Sequence, residues 1–340
     1  MSAWSPATAA LVAALALVAA RAAEPADSGA PSRRGPLEVR DDWLLAQARL
    51  GLPPVAPDPL RAGQARLSLD LAWGSDFGFE PGPASGGPDH FLVDGEHRTL
   101  ALDARRGLTP TLTVGVRLPL RWRGGGIMDG IIDWFHEVTG LPGGARPLFP
   151  MDRLRVEGRD SLRRPVRWGG APGTRLGDLE LLGLWAFRPP ARHAWAAALV
   201  VRAALPTGTG DFARTGTAVG TQVVSARTLG RSFDVYTGAG AVAQPRRVVA
   251  GVEYAPVRGH GFVTLEWRPA RRWSIVAEMD ASTRLVRNLA GYPGWQSYLR
   301  LGAQVDVSER WRLRGGFVEG IGSQQAATDF GIVAGLSRRF

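Results

Sequence analysis

From Gln64 to the terminal Phe340 the chain alternates apolar and polar residues in segments of ten to thirteen. Leu67, Leu69, Leu71 and Trp73 interleave with Arg66, Ser68, Asp70 and Ala72. Trp273, Ile275, Ala277, Met279 and Ala281 interleave with Ser274, Val276, Glu278, Asp280 and Ser282, and the chain closes on Phe330, Ile332, Ala334, Leu336, Arg338 and Phe340. Successive side chains on a strand point to opposite faces, so each segment has one apolar face and one polar face. The pattern predicts twelve strands, at 64–76, 97–106, 110–122, 176–188, 193–205, 219–229, 232–243, 260–269, 272–283, 297–307, 310–319 and 328–340. Their connections alternate short and long: the even-numbered ones are tight turns such as Gly230–Arg231, Ala270–Arg271 and Ser308–Glu309, and the odd-numbered ones are longer. Counting Val248–Ala255 as a strand would break that parity, so it reads as loop. Soluble sandwiches use strands of ~5–6 residues, whereas crossing a bilayer takes ~9–11. The expected fold is all-β, a transmembrane antiparallel barrel of about twelve strands.

Aromatic residues test this independently, because they gather at membrane interfaces. Phe187, Trp195, Phe233, Trp267, Trp273, Trp311 and Phe340 lie on apolar faces beside the short turns. Trp73, Phe77, Trp122, Trp295, Phe317 and Phe330 lie near the opposite ends. Two rings emerge, as a membrane belt requires. Arg338 shares the apolar face of the last strand, close enough to its end for an interfacial place.

The N-terminus adds an address. Ala9 to Ala20 is an apolar run, and Ala20-Arg21-Ala22 has the small-x-small form of a signal-peptidase site, so residues 1–22 read as a signal peptide. Residues 23–62 read as a flexible leader followed by a Pro-punctuated arm, with Pro36, Pro53, Pro54, Pro57 and Pro59; it is a periplasmic arm, a plug or a linker. Residues 63–340 form the barrel, with an external insert at 123–175. The formal charge is +10, and every basic residue is Arg. Those arginines are scattered without a stripe or stacking platform, which argues against nucleic acid and suits an anionic membrane surface or a lumen. Outer-membrane lipids and lipopolysaccharide are the expected surroundings, the outer membrane of a Gram-negative bacterium the expected location, and a monomer the expected state. A terminal strand ending in Phe looks like the signal read by the barrel assembly machinery.

Several non-repetitive stretches resemble one family. Gly35-Pro36-Leu37 with Arg40-Asp41, Gly51-Leu52-Pro53, and Arg121-Trp122-Arg123-Gly124-Gly125-Gly126 leading to Met128-Asp129 and His136 are similar to the uncharacterised outer-membrane family called domain of unknown function 3187. The likeness covers about residues 35–340. It implies a barrel and an outer-membrane address, with no established substrate, reaction or catalytic residues.

Chemistry is sparse. In the insert, Ile127, Ile131, Phe135 and Val138 fall near helical spacing, with Asp129, Asp133, His136 and Glu137 largely off that stripe. Such a helix could pack over the rim, lie on the membrane surface, or constrict the mouth through Asp129, Asp133, Trp134, Phe135 and His136. The same acids and His136 have metal-ligand residue types, but without a second His or Cys they read as solvated helix charges. No metal or cofactor is expected. The histidines are His90, His97, His136, His193 and His260, and none stands mid-strand on a lipid-facing surface with a Ser nearby; His97-Arg98-Thr99 is the nearest approach to a hydrolase pair. Inward-facing positions carry Asp178, Glu180, Arg202, Asp234, Glu266, Arg268, Glu278, Asp280, Arg300, Asp306, Arg312 and Arg314. They would line either a wet channel for a small solute or a closed network of ion pairs. A channel is the leading expectation; a structural or surface-interaction barrel binding lipopolysaccharide or protein is the alternative, and a lipid-modifying enzyme comes third.

Overall fold

A computed structural model of the chain describes residues 33–40, 42–80, 91–139, 149–167, 171–189, 195–210, 216–245, 248–249, 251–321 and 328–340. The expected signal peptide, His90 and His193 lie outside them.

Twelve antiparallel strands close into a barrel: β1 (Ala65–Glu80), β2 (Phe91–Thr109), β3 (Leu112–Gly124), β4 (Gly173–Leu176 and Glu180–Arg188), β5 (Ala196–Ala204), β6 (Ala218–Leu229), β7 (Phe233–Ala243), β8 (Val257–Ala270), β9 (Trp273–Thr283), β10 (Trp295–Asp306), β11 (Trp311–Ile321) and β12 (Phe330–Arg339). Each pairs with the next, and β12 returns to β1 with Leu71 opposite Ala334 and Ser75 opposite Phe330. Closure leaves no free sheet edge, which a membrane interior would not tolerate. The two pieces of β4 both pair with β3, at 120–123 and 112–117, on either side of a break.

The alternation predicted from sequence sets the two faces. Leu69, Leu71, Leu100, Val223, Leu265, Ile275 and Leu336 stand exposed on the outside, while Ser68, Asp103, Glu180, Glu266, Glu278 and Arg300 are buried inside. Phe233 stacks on Trp267 at 6.3 Å and Trp267 meets Trp273 edge-on at 6.5 Å, so these three form a contiguous row within the aromatic band beside the short turns. Arg338 lies over the rings of Trp311 and Phe340, at 5.3 and 4.6 Å, which accommodates its charge at the band's edge. From Trp273 to Thr283, the residue opposite Trp295, the sheet advances ten residues. At about 3.3 Å each and a tilt of about 40°, that is a rise of about 25 Å, the height of a membrane-crossing apolar band.

Beyond the barrel, on the side of the long loops, short strands at Arg155–Arg159 and Pro165–Arg167 extend the β2 edge, and Val248–Val249 pairs with Val252–Glu253 as a small separate hairpin. Among the described residues one α-helix, α1 (Met128–Thr139), follows β3. The two ends of the barrel are called the turn end and the loop end below.

Candidate functional site: a hairpin inside the barrel

The Pro-punctuated segment that precedes β1 runs inside the barrel. It starts at the turn end, where Arg34 donates to the Arg271 carbonyl and pairs with Asp306 at 2.9 Å. A first leg climbs through Leu37, Glu38 and Arg40. The tip, around Trp43–Ala48, reaches the loop end, where a single turn of 3-10 helix at Ala46–Ala48 reverses the chain. A second leg descends through Leu52 and Val55, and the Leu60 amide donates to Thr113 Oγ1 at 2.8 Å. Arg33 and Asp58, 3.2 Å apart, tie the two legs at their base. Ala62 then bridges Gly107, and Gly63 donates to the Gly107 carbonyl at 2.9 Å. Gly107 is required there, because a Cβ would lie 2.1 Å from the Arg61 carbonyl oxygen. The prolines fit the path: a segment that makes no continuous ladder loses nothing by lacking those amides.

The first leg meets charge. Glu38 receives Arg66 at 2.9 Å and Arg105 at 2.5 Å. Burial alone would raise its carboxyl, but Arg105, Arg66 and Arg314 together hold it well below the usual carboxylate range. Arg40 donates to Glu180 and lies 3.2 Å from Asp42. Asp42 is likewise pushed up by burial and brought below its ordinary value by Arg40, Arg121, Arg117 and His97. Glu180 is the hub, with Arg121 at 3.6 Å and Arg202 at 3.9 Å beside Arg40. Further up, the Leu44 amide donates to Asp76, whose same oxygen lies 2.7 Å from His97 Nδ1.

The second leg meets hydrocarbon. Leu50 and Leu52 pack with Ala204, Ala218 and Val242. Val55 packs with Leu182, Leu184, Val200, Val224, Tyr236 and Phe262, with Ala56 against them. At the loop end the tip is roofed: Trp43, Leu44, Leu45 and Ala46 share one buried cluster with Phe91, Val156, Val166, Val249, Val252, Tyr254, Leu285 and Tyr292. Trp43 stacks on Tyr292 at 6.2 Å, and Arg49 lies over Tyr254 at 4.8 Å while donating to the Ala255 carbonyl. Segments from three loops thus close over the hairpin.

Of the inward positions read from sequence, Asp178, Glu180, Arg202, Asp234, Glu266, Arg268, Glu278, Asp280, Arg300 and Arg312 are buried, and Asp306 and Arg314 partly so. They form local groups around the hairpin. Arg300 pairs with Glu278 and Asp280, Arg268 with Asp234 at 2.7 Å, Arg312 with Asp306 at 2.6 Å, and Arg314 with Asp70. At the loop end Asp178 accepts the Gly208 amide at 2.8 Å. Phe187, Trp195, Phe233, Trp267, Trp273 and Trp311 are exposed on the outer wall and Phe340 partly so. In the insert, Asp129 is buried and accepts the Asp152 amide at 2.8 Å, Asp133 is half-buried and Trp134 exposed; the side chains of Phe135 and His136 lie outside the described residues. Thr99 faces Gln47 of the hairpin and His97 faces Asp76, both on the lumenal side, away from lipid. Among the described residues no group of three or more His, Asp or Glu is placed to hold a metal.

Glu38 and Asp42 carry no sequence assignment and Arg40 enters only through the family resemblance, yet the three hold the centre of the lumen. Their signal was compositional: charges interspersed with Leu37, Trp43, Leu44, Leu50 and Leu52 are more than a solvated linker carries.

Residues 11–340 match the family described as protein of unknown function (DUF3187). The chain belongs to that family. No curated protein matches it. The fold of this DUF3187 member is similar to that of the COG4313 outer membrane channel from Pseudomonas putida F1, at 13% identity, 85% coverage of this chain, 100% of that one and a TM-score of 0.57. The NanC porin (8% identity, 79% and 98% coverage, TM-score 0.45) and the CymD monoaromatic hydrocarbon channel (13%, 83% and 89%, 0.39) overlap more loosely.

Proposed function

We propose that this protein is an outer-membrane channel for a small solute, held shut by its own N-terminal hairpin. The observation that carries this reading is the seating of residues 33–40 and 42–62 in the lumen, from the turn end to the roof and back. A barrel of twelve strands is wider than one its own wall residues can fill, so an added segment is needed to close it. The hairpin enters from the turn end, which in this reading faces the periplasm with both chain ends. The lumen it occupies has one apolar wall and one charged wall, which suits a solute carrying both characters. The lipid-facing belt and the similarity in fold to an outer-membrane channel support the location.

Single-channel recordings in planar bilayers test it. The full chain is expected to be almost silent, and a variant lacking 33–58 to conduct, once heat-modifiable gel migration shows that its barrel has formed. A folded barrel without the hairpin that stays silent would overturn the channel. That outcome would favour the alternative, a barrel that acts through its surface, for which the packed lumen and the roof over it also speak.

A further inference from the structure

We infer that α1 is a membrane-surface helix, seated on the outer wall of β1 and β2 with its free apolar stripe resting on the acyl chains of the surrounding leaflet. The placement follows from Glu96. On β2, Arg98 and Leu100 face outward, and Glu96 shares their face. Its buried carboxylate accepts the Trp73 indole N–H at 2.9 Å and the backbone amides of Ile127 and Met128. Those amides open the helix, so a carboxylate on the barrel's exterior caps it and meets the positive end of its dipole. Gly126 makes this approach feasible, with φ of +75° and no room for a Cβ, which would lie 1.8 Å from the Glu96 carboxyl carbon.

At about 100° per residue, the helix divides into three faces about a third of a turn apart. Met128 and Ile132, 3% and 5% exposed, form the buried face, and buried Asp129 beside them accepts the Asp152 amide of the insert. Half-buried Asp133 and exposed Glu137 mark a polar face. The third face holds Ile127, Ile131, Trp134 and Val138, which are 60%, 50%, 60% and 65% exposed. A helix with a wall on one side and water on another has lipid as the natural occupant of the third.

Continuity with the barrel's lipid-facing surface identifies that occupant. Trp73, Arg98 and Trp122 are cross-strand neighbours on the outer face, and the guanidinium lies 4.5 and 4.3 Å from the two rings. Aromatics with a snorkelling Arg mark the interface, directly beyond exposed Leu71, Leu100 and Leu120. Glu96 lies two residues further along β2, so α1 starts about 5 Å beyond that row at ordinary strand rise and tilt. Interfacial helices settle within about 5–10 Å of the headgroup–acyl boundary.

The chain contains no cysteine, so single nitroxide labels can be placed cleanly. Ile131→Cys and Leu162→Cys would be labelled in full-length protein reconstituted into dioleoylphosphatidylcholine vesicles. Leu162, 70% exposed in the turn between the short strands Arg155–Arg159 and Pro165–Arg167, serves as the reference. At position 131 collisions with lipid-soluble oxygen should exceed those with a water-soluble nickel chelate severalfold, and at 162 the order should reverse. Equal access of the nickel chelate to both labels would overturn the inference. So would strong spin–spin broadening confined to 131, which would put a second copy of the chain where lipid is expected.

Discussion

The two legs of the lumenal hairpin are a few residues apart in sequence and sit against walls of opposite character. The first presents Arg34, Glu38, Arg40 and Asp42 to strands that carry Asp306, Arg66, Arg105 and Glu180. The second presents Leu50, Leu52 and Val55 to strands that carry alanine, valine and leucine. Each leg therefore answers to a different force. Buried ion pairs gain little net stability over an apolar equivalent, yet losing one partner is costly because the other is left charged in a dry site. Apolar packing is indifferent to charge and pH and depends on filled volume. A hairpin held this way is registered by its charged leg and kept in place by its apolar leg, and the two contributions can be separated by mutation.

The largest effect should come from the charged hub. Glu180→Gln removes the carboxylate shared by Arg40, Arg121 and Arg202, leaving three guanidiniums short of a partner. The expected cost is about 3–5 kcal/mol, as for other broken buried pairs. It would appear as a lower heat-modification midpoint together with bursts of conductance as the first leg comes free. An unchanged midpoint would show that the wall arginines balance one another through other carboxylates.

On the apolar side, Leu52→Ala should cost about 2–4 kcal/mol for the cavity left among Ala204, Ala218 and Val242. Leu52 packs on Ala204, the residue directly opposite Glu180 across β4 and β5, so the two sites are close enough to couple; losses that still add within about 0.5 kcal/mol in the double variant would show that the legs release independently. Strong non-additivity in thermal melts would mean that the legs are coupled, either through Ala204 or because the hairpin leaves as one body.

How much of this was legible in the chain follows from the range of the contacts. Strand number, the inward and outward faces and the belt rest on neighbours two residues apart, so Trp267, Trp273 and Glu278 could be placed from alternation alone. Strand ends were harder. β1 and β2 run on to Glu80 and back to Phe91, because Phe77 and Phe79 pack against Phe149 of the insert, and glycines and acids there blur the alternation. The hairpin's destination could not be read: Arg34 meets Asp306 and Arg40 meets Glu180 from far along the chain, and a proline-rich segment has no period to announce which surface it will face. The helix was legible, but not its orientation. The stripe of Ile127, Ile131, Phe135 and Val138 left rim packing, constriction and membrane contact all open, whereas Met128, Asp129 and Ile132 are the buried side, selected by Glu96, whose role no local pattern reveals.

Acid should separate the legs by sign. Glu38 and Asp42 have depressed carboxyls in the folded state. Their contribution is complete above the ordinary carboxylate value of about 4 and is lost as the pH falls through their lower folded values. Asp58, at the base of the second leg, behaves oppositely: burial raises it against Arg33, and Asp234 and Glu266 push the same way, so protonation relieves a penalty. Below about pH 4 the first leg should therefore loosen before the second. Thiol labelling at Val39→Cys should accelerate before labelling at Val55→Cys. Simultaneous release, or release at Val55 first, would argue against a charge-registered first leg.

The smallest effect tests whether the walls are as separate as they look. Tyr236 belongs to the apolar cluster that holds Val55, yet its hydroxyl donates to Glu266 at 2.7 Å. Glu266 also accepts the backbone amides of Arg34 and Gly35, at 3.2 and 3.0 Å, where the first leg begins. One side chain thus touches both systems. In Tyr236→Phe the ring keeps its packing, and Glu266 keeps two donors, so only the net worth of one hydrogen bond to a charged acceptor is lost, about 1–3 kcal/mol and expected near the lower figure. The conductance should stay silent. If this single hydroxyl instead released the hairpin, the seat of the charged leg would depend on the apolar wall for its geometry, and the division between the two walls would fail at that residue.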